Sequence, residues 1–385
     1  MKIQKKNFIL ITVIVIFFFS YGILVGHYNI FPFEILSTAK NTIYPKSEIS
    51  PRIQIHQDIN EIEKLISLQN SHDILMKKHA LTEYIWNNSS LPNNFPVQHD
   101  IDISDNLSNL ENLKRIDSFT VEMDYGMNSI SYLFLADNSN NNLIIYHQGD
   151  DSKSSEHFDN HSFEEDRRII QYFLNENYSV LIFSMVGHGM NNEPIVEIKN
   201  IGKIRLNSHE HFELLETETF HPIKFFLEPV IVTLNQIDVD YSFNSYHMLG
   251  KNEGGWTTIM ISALDERIKQ SFSVAGSFPL WMSPSANNFG GYEHHLLPLY
   301  QIANYLELYT MSAYGDKRSL ILFYNEFDPC CFTGKLYEKY PFGDSVASTL
   351  KSIGSGKFNV IIDYDQTKNI ISDYTLDYIK KSLSD

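Results

Sequence analysis

Cysteine is nearly absent. The 385 residues hold two, Cys330 and Cys331, side by side. That excludes a disulfide-stapled scaffold and a multi-cysteine zinc module. Positive charge is scarce too, with 30 Lys plus Arg against 47 Asp plus Glu and a net charge of −17. Phosphate contacts need surplus cations, so the balance argues against a nucleic-acid partner. Histidine runs out early: there are 15, and none follows His295. There is no internal repeat and no low-complexity tract. What remains is ordinary for a folded chain, at 43% hydrophobic and 20% charged, too apolar for disorder. The length allows one large domain or two of usual size, with a sizeable core.

The charge is unevenly placed. Lys2, Lys5 and Lys6 precede an uncharged, mostly apolar run from Asn7 to Gly26, so the net −17 is +3 on these lysines and −20 on the rest of the chain. As a helix rising about 1.5 Å per residue, that run nearly spans a hydrocarbon core of roughly 30 Å. No further cation appears until Lys40. The expected arrangement is a single-pass anchor over residues 1–26, contacting the membrane through residues 8–26. The N-terminus is then cytoplasmic and the remainder extracytoplasmic, periplasmic in a Gram-negative cell. A cleaved signal peptide is the alternative, but the run is long for one. Ser37-Thr38-Ala39 is also a poor cleavage site. Gly22 and Gly26 form a Gly-x-x-x-Gly spacing, more simply two small residues near a helix end than an assembly motif.

Residues 27–52, with Pro32, Pro45 and Pro51, read as a tether. Residues 53–114 read as a helical lead-in, with Ile59, Ile62, Leu65 and Ile66 on one face. Leu75, Leu81 and Ile85 follow after a break at Ser71-His72-Asp73. From 115 onward short apolar runs bounded by Asn, Asp or Gly alternate with helical spacings. Ile116–Met123 and Ile130–Leu135 flank Gly126 as a hairpin. Strands are expected at 143–146, 179–185, 246–249, 271–275, 320–324 and 358–363. Helices are expected at 163–175, 224–237, 255–264, 299–309, 346–353 and 374–383. An opening hairpin followed by strand–helix alternation predicts an α/β domain over 115–385, its sheet mostly parallel with helices on both faces.

Sites in such sheets lie beyond the strands' C-terminal ends. There the chain reads Tyr146-His147-Gln148-Gly149-Asp150, Gly187-His188-Gly189, Gly250-Lys251-Asn252-Glu253-Gly254-Gly255-Trp256, and Asn325-Glu326-Phe327-Asp328. These segments resemble the α/β-hydrolase superfamily, most closely its membrane-anchored, esterase-like members of the dienelactone-hydrolase and acetylxylan-esterase kind. The resemblance runs from about residue 80 to the end and is most specific over Gly250–Gly276. It implies an α/β-hydrolase fold with a nucleophile elbow, Gly-x-Ser-x-Gly, on a strained strand-to-helix turn. Gly250 and Gly254 hold the flanking positions and Gly255 follows, but the central residue is Asn252. Glycines four apart occur only at 22/26 and 250/254, so the chain has no Gly-x-Ser-x-Gly.

The resemblance also implies a catalytic carboxylate at Asp328, which could instead be a loop-entry Asp capping a turn. It places the base at Asn369, and no histidine exists downstream of Asp328 to replace it. Asparagine has no group that ionises near neutral pH, so it neither attacks a carbonyl nor shuttles a proton. Oxyanion-hole donors are implied at Glu253 and within Gln148, Gly149 and Asp150, although the carboxylates of Glu253 and Asp150 oppose an anion there. Lid insertions are implied near 186–222 and 277–298, since both are long for connections.

Other residues read more plainly. His209-Glu210-His211 with His221, and Glu293-His294-His295, lack zinc-helix spacing, so a surface or lid role is expected and no metal. Lys251 is expected to face solvent. The acidic stretch from Asp150 to Asp166 reads as a solvated loop entering a helix. Adjacent cysteines such as Cys330-Cys331 bridge poorly, and the resemblance, in which a cysteine pair recurs in this loop, implies a packing role. Trp256, Trp281 and Tyr292 are either pocket or core. The expected function is a membrane-held, catalytically degenerate hydrolase homologue, without cofactor, binding a small-molecule, acylated or glycan ligand in the inherited pocket. The alternative is an active ester hydrolase using His147, His188, His209 or His211.

Overall fold

The computed structural model describes residues 12, 14–22, 25, 58–103, 109–149, 163–282, 290–328, 332–364 and 370–384. The chain forms two compact units, Met1–Gln54 and Ile55–Asp385. In the first, residues 14–22 are helical, and the six side chains from Ile14 to Phe19 are all exposed. No helix among the described residues is long and apolar enough to cross a membrane. Most of the expected anchor and tether, with Cys330, Cys331, Asp150 and Asn369, lies outside the described residues.

The second unit opens on a 3-10 turn, Ile59–Leu65, and helix α1, Ser71–Trp86. Asn70 caps α1, its side-chain oxygen accepting from the amides of His72 and Asp73 at 2.9 and 3.2 Å while Asp73 answers to the Asn70 amide. The expected break at Ser71-His72-Asp73 is therefore the start of a helix with a capping box. This phase buries Ile74 and leaves Leu75 59% exposed, reversing the expectation for Leu75.

A nine-stranded sheet follows. Its strands are β1 (Gln98–Asp100), β2 (Leu113–Glu122), β3 (Asn128–Ala136), β4 (Asn142–His147) and β5 (Ser179–Phe183). After a separate two-stranded hairpin of β6 (Ile195–Ile198) and β7 (Gly202–Arg205) come β8 (Ser245–Lys251), β9 (Ile268–Val274), β10 (Ser319–Asn325) and β11 (Lys357–Asp363). The order is β1-β2-β3-β5-β4-β8-β9-β10-β11. The pairings from β1 to β5 across β2 and β3 are antiparallel, and all those from β5 through β4 to β11 are parallel. The predicted hairpin is β2–β3, with its register set around Gly126. The short edge strand β1 was not legible, because Gln98-His99-Asp100 carries no apolar alternation.

Helices cover both faces: α2 (Phe163–Asn175), α3 (Lys224–Asp240), α4 (Glu253–Leu264), α5 (Tyr292–His295), α6 (Leu297–Ile302), α7 (Tyr305–Ala313), α8 (Gly334–Lys339), α9 (Gly343–Ile353) and α10 (Asp373–Ser384). Successive strand residues feed two separate cores. Leu143 and Ile145 join one buried cluster while Ile144 and Tyr146 join the other, as a sheet covered on both sides requires. The helix expected over 299–309 is broken into α6 and α7. Asn304 caps α7 by accepting from Leu306 and Glu307, and Glu307 returns a bond to the Asn304 amide. Buried Glu307 also receives the Ser67 hydroxyl at 2.6 Å and Lys77 at 2.9 Å, which ties the lead-in to the sheet domain.

Candidate active site

Strand order reverses at β4: β5 lies on one side of it and β8 on the other. Crevices open at such points, beyond the C-terminal ends of the strands. The segments leaving β4 and β8 meet there. Asn252 stands between β8 and α4 with φ 53° and ψ −124°, a backbone state that costs about 1–3 kcal/mol for a residue bearing a Cβ. Glycine is required on either side by close approach. A Cβ on Gly250 would lie 2.0 Å from the Gly254 carbonyl oxygen, and one on Gly254 would lie 2.3 Å from that of His147. Helix α4 is thus pressed onto the ends of β8 and β4, and the turn before it is sharp.

Gly149, leaving β4, backs directly onto the elbow. A Cβ there would be 2.8 Å from the Asn252 Cβ and 3.3 Å from its Nδ2. The structure therefore brings together two sequence-derived candidates, Gly149 and Asn252. Glu253 opens α4, whose first-turn amides have no acceptor within the helix. Gln148 is different: its amide donates to the Phe183 carbonyl at 2.9 Å, and its side chain is fixed between Asp166 and Ser184. Its backbone donor is spent on the sheet rather than offered to the crevice. Asp328 follows β10 as expected and is 8% exposed, with Oδ2 accepting from the Phe332 amide at 3.4 Å.

Two expectations are overturned beside the elbow. Lys251 is buried, not solvent-facing, because it ends the central strand β8; its Nζ lies 2.8 Å from Glu165 Oε2. Asp166 is not solvated either. It accepts from Tyr146 Oη at 2.7 Å and Gln148 Nε2 at 2.5 Å. Burial pushes its pKa up to about 6, against the pull of these hydrogen bonds. The first turn of α2 therefore braces the loop after β4, which no spacing in the sequence announced.

The histidines assemble unexpectedly. Glu293 is fully buried between His209, whose Nδ1 is 3.2 Å from Oε2, and His294, whose Nδ1 is 3.0 Å from Oε1. His294 Nε2 bonds the Gly276 carbonyl at 3.1 Å, and His209 Nε2 bonds that of Val186 at 3.3 Å. Burial opposes the charge on Glu293, but the two imidazoles outweigh it and hold the carboxyl well below its usual range. Burial also pulls His294 down, yet Glu293, with Glu253 and the Gly276 carbonyl, raises it above its ordinary value. Gly276 packs against Gly255, so this triad stands behind the elbow helix. His294 is thus turned into the core, its Nδ1 facing Glu293 and its Nε2 on the Gly276 carbonyl.

The same contacts join the two predicted insertions. Tyr292 Oη donates to Glu216, and the Phe212 and Tyr292 rings are 6.4 Å apart edge to face. Trp256 is core, its Nε1 donating to Tyr300 Oη at 2.8 Å. Among the described residues no group of three or more His, Cys, Asp or Glu is arranged to hold a metal ion. His147 is buried, its Nδ1 2.9 Å from the Gln148 carbonyl, and burial lowers its pKa to about 4. His211 bonds the Arg205 carbonyl on the exposed hairpin.

A mostly parallel sheet reversing at β4, with a sharp glycine-flanked turn after β8 leading into a helix pressed onto the strand ends, is the architecture of the α/β-hydrolase fold. Solved structures agree. The chain is similar to acetyl xylan esterase 1 from a Thermoanaerobacterium species, at 10% identity and a TM-score of 0.53 over 85% of this chain and 98% of that one. It is similar to an acetyl xylan esterase from a Paenibacillus species, at 11% identity and a TM-score of 0.52 over 85% and 99%. It is also similar to a glucuronoyl esterase from Solibacter usitatus, at 10% identity and a TM-score of 0.52 over 80% and 91%. At these identities the likeness is one of fold. No family model and no curated protein matches the chain.

Proposed function

We propose that this protein is a catalytically silent α/β-hydrolase-fold protein. Residues 8–26 hold it at a membrane with the folded domain outside the cytoplasm, and the inherited crevice binds a small, acylated or glycan ligand. The observation that carries the reading is Asn252 at the strained apex of an otherwise complete elbow. The turn that would expose a serine hydroxyl exposes an amide, which has no nucleophilic oxygen to activate. The absence of histidine after Asp328 removes the base that such a serine would need. Six exposed apolar side chains in the N-terminal helix, from Ile14 to Phe19, support the membrane placement.

An active esterase with a rearranged catalytic set finds its best support in the His209–Glu293–His294 triad. That support is weak, because the three side chains are buried behind the elbow helix, with His294 Nε2 on the Gly276 carbonyl and His209 Nε2 on that of Val186. The test is labelling of the purified protein with a serine-directed fluorophosphonate, alongside hydrolysis of a small activated ester. No label and background hydrolysis are expected. Stoichiometric labelling would overturn the reading.

A further inference from the structure

The elbow holds Asn252 at ψ −124°. A tetrahedral Cα places Cβ about 120° from the residue's own nitrogen around the Cα–C bond, on the side where negative ψ brings the next nitrogen. At this ψ the Asn252 Cβ therefore eclipses the backbone nitrogen of Glu253. Cβ, Cα, the carbonyl carbon and that nitrogen lie nearly in one plane, as they do in a five-membered imide ring. Only the side chain's own torsion stands between Cγ and the nitrogen.

This conformation is held rather than visited. The Asn252 amide donates to the Val274 carbonyl and its carbonyl accepts from the Trp256 amide, both at 3.0 Å. Gly250 and Gly254 are in close backbone contact on either side. Asparagines elsewhere are set differently. Their ψ is 175° at Asn70, 34° at Asn87 and 171° at Asn304, which turns Cβ out of the plane of the following nitrogen. Glu253 opens the twelve-residue helix α4, whose positive end favours negative charge on the nitrogen that must lose its proton. Asn252 is only half-buried, which admits water.

We propose that Asn252 is a self-modifying residue, converted from amide to carboxylate through a cyclic imide that the elbow pre-forms. The Glu253 nitrogen bonds to Asn252 Cγ, the Cγ–Nδ2 bond breaks, and the proton from the Glu253 amide leaves with Nδ2 as ammonia. The imide nitrogen carries no hydrogen, which the first residue of a helix tolerates as it tolerates proline. Water then reopens the ring and returns a hydrogen to the nitrogen. Its hydroxyl adds at Cγ to give aspartate, or at the main-chain carbonyl to give isoaspartate. One water enters and one ammonia leaves, with no oxidant or reductant. The new carboxylate is ionised at neutral pH, so the apex of the crevice passes from neutral to anionic as the protein ages. The ring closes whatever the crevice binds, and whether or not the protein is catalytically silent.

The test is incubation of the full-length protein at mildly alkaline pH, folded and in guanidinium chloride. Digestion and mass spectrometry then follow the peptides holding Asn252 and Asn70. In a loose chain a bulky neighbour such as Glu253 hinders ring closure more than Ser71 does, so in guanidinium chloride Asn70 should convert first. In the folded protein the order should reverse. Asn252 should convert at least about tenfold faster than in the denatured chain, because the reacting atoms are already oriented. Hydroxylamine, which cleaves cyclic imides, should cut the folded chain after residue 252. Asn252→Gln, whose ring would need one more atom, should show neither conversion nor cleavage. Three results would each overturn the proposal: Asn252 converting no faster folded than denatured, conversion without hydroxylamine cleavage, or equal cleavage in Asn252→Gln.

Discussion

Asn252 occupies a backbone position whose energetic cost is repaid in working hydrolases by an exposed nucleophile. Here the same geometry, φ 53° and ψ −124°, presents an amide against Gly149. If the surrounding frame is intact, Asn252→Ser alone should stay near background on a small activated ester, because no base is present. Adding Asn369→His should raise the rate by about a hundredfold over the single variant, the scale of general-base assistance. Equal rates for the two would show that position 369 is not the base position. The flanking glycine makes a separate prediction. Gly254→Ala drives a Cβ to 2.3 Å from the His147 carbonyl oxygen. It should cost about 3 kcal/mol in urea unfolding, since the atoms it meets are backbone of His147 and Gln148 at the end of a central strand, which has little room to relax. Both residues were legible in the sequence because elbow chemistry is local: five consecutive positions define it. Lys251 was misjudged for the converse reason, since its partner Glu165 lies 86 positions away on another element.

Among the elements, α2 and the two insertions behave as braces for the crevice. Glu293 on α5 joins His209 to His294, and pH should tune that junction. The folded pKa of Glu293 is depressed, so its contribution is present above about pH 4.5 and is lost as pH falls toward the folded value. The folded pKa of His294 is raised, so its contribution is full below about pH 6.5 and is lost as pH rises through the folded value. The melting-temperature difference between wild type and Glu293→Gln should therefore peak between these limits and shrink on both sides. At its peak it should correspond to about 3 kcal/mol, the cost of leaving buried charges without their partner. A difference independent of pH would reduce the triad to packing. Adjacent Glu293-His294 was visible in the sequence, but His209 stands 84 positions earlier, and periodicity carries no signal across such a gap. The α6–α7 break shows the opposite lesson. Asn304 with Glu307 three residues later is a local capping signal, overridden in the reading by the apolar run around it.

For the whole molecule, the uneven charge and the uncharged run to Gly26 make a prediction about partition. The full-length chain should sediment with membranes after an alkaline carbonate wash, and a chain lacking residues 1–26 should remain soluble. Sedimentation unaffected by the deletion would place the attachment elsewhere. Sequence alone determined the strand–helix alternation, the elbow glycines and the asparagine between them. Each of these is written in residues next to one another, where backbone sterics and apolar period decide the outcome. Tertiary structure alone decided that Lys251 and Asp166 are buried, that Gln148 spends its amide on β5, and that Glu293 lies between two imidazoles. Those facts depend on which distant segments the sheet order makes neighbours, and burial and charge pairing are set only once that order has closed the core.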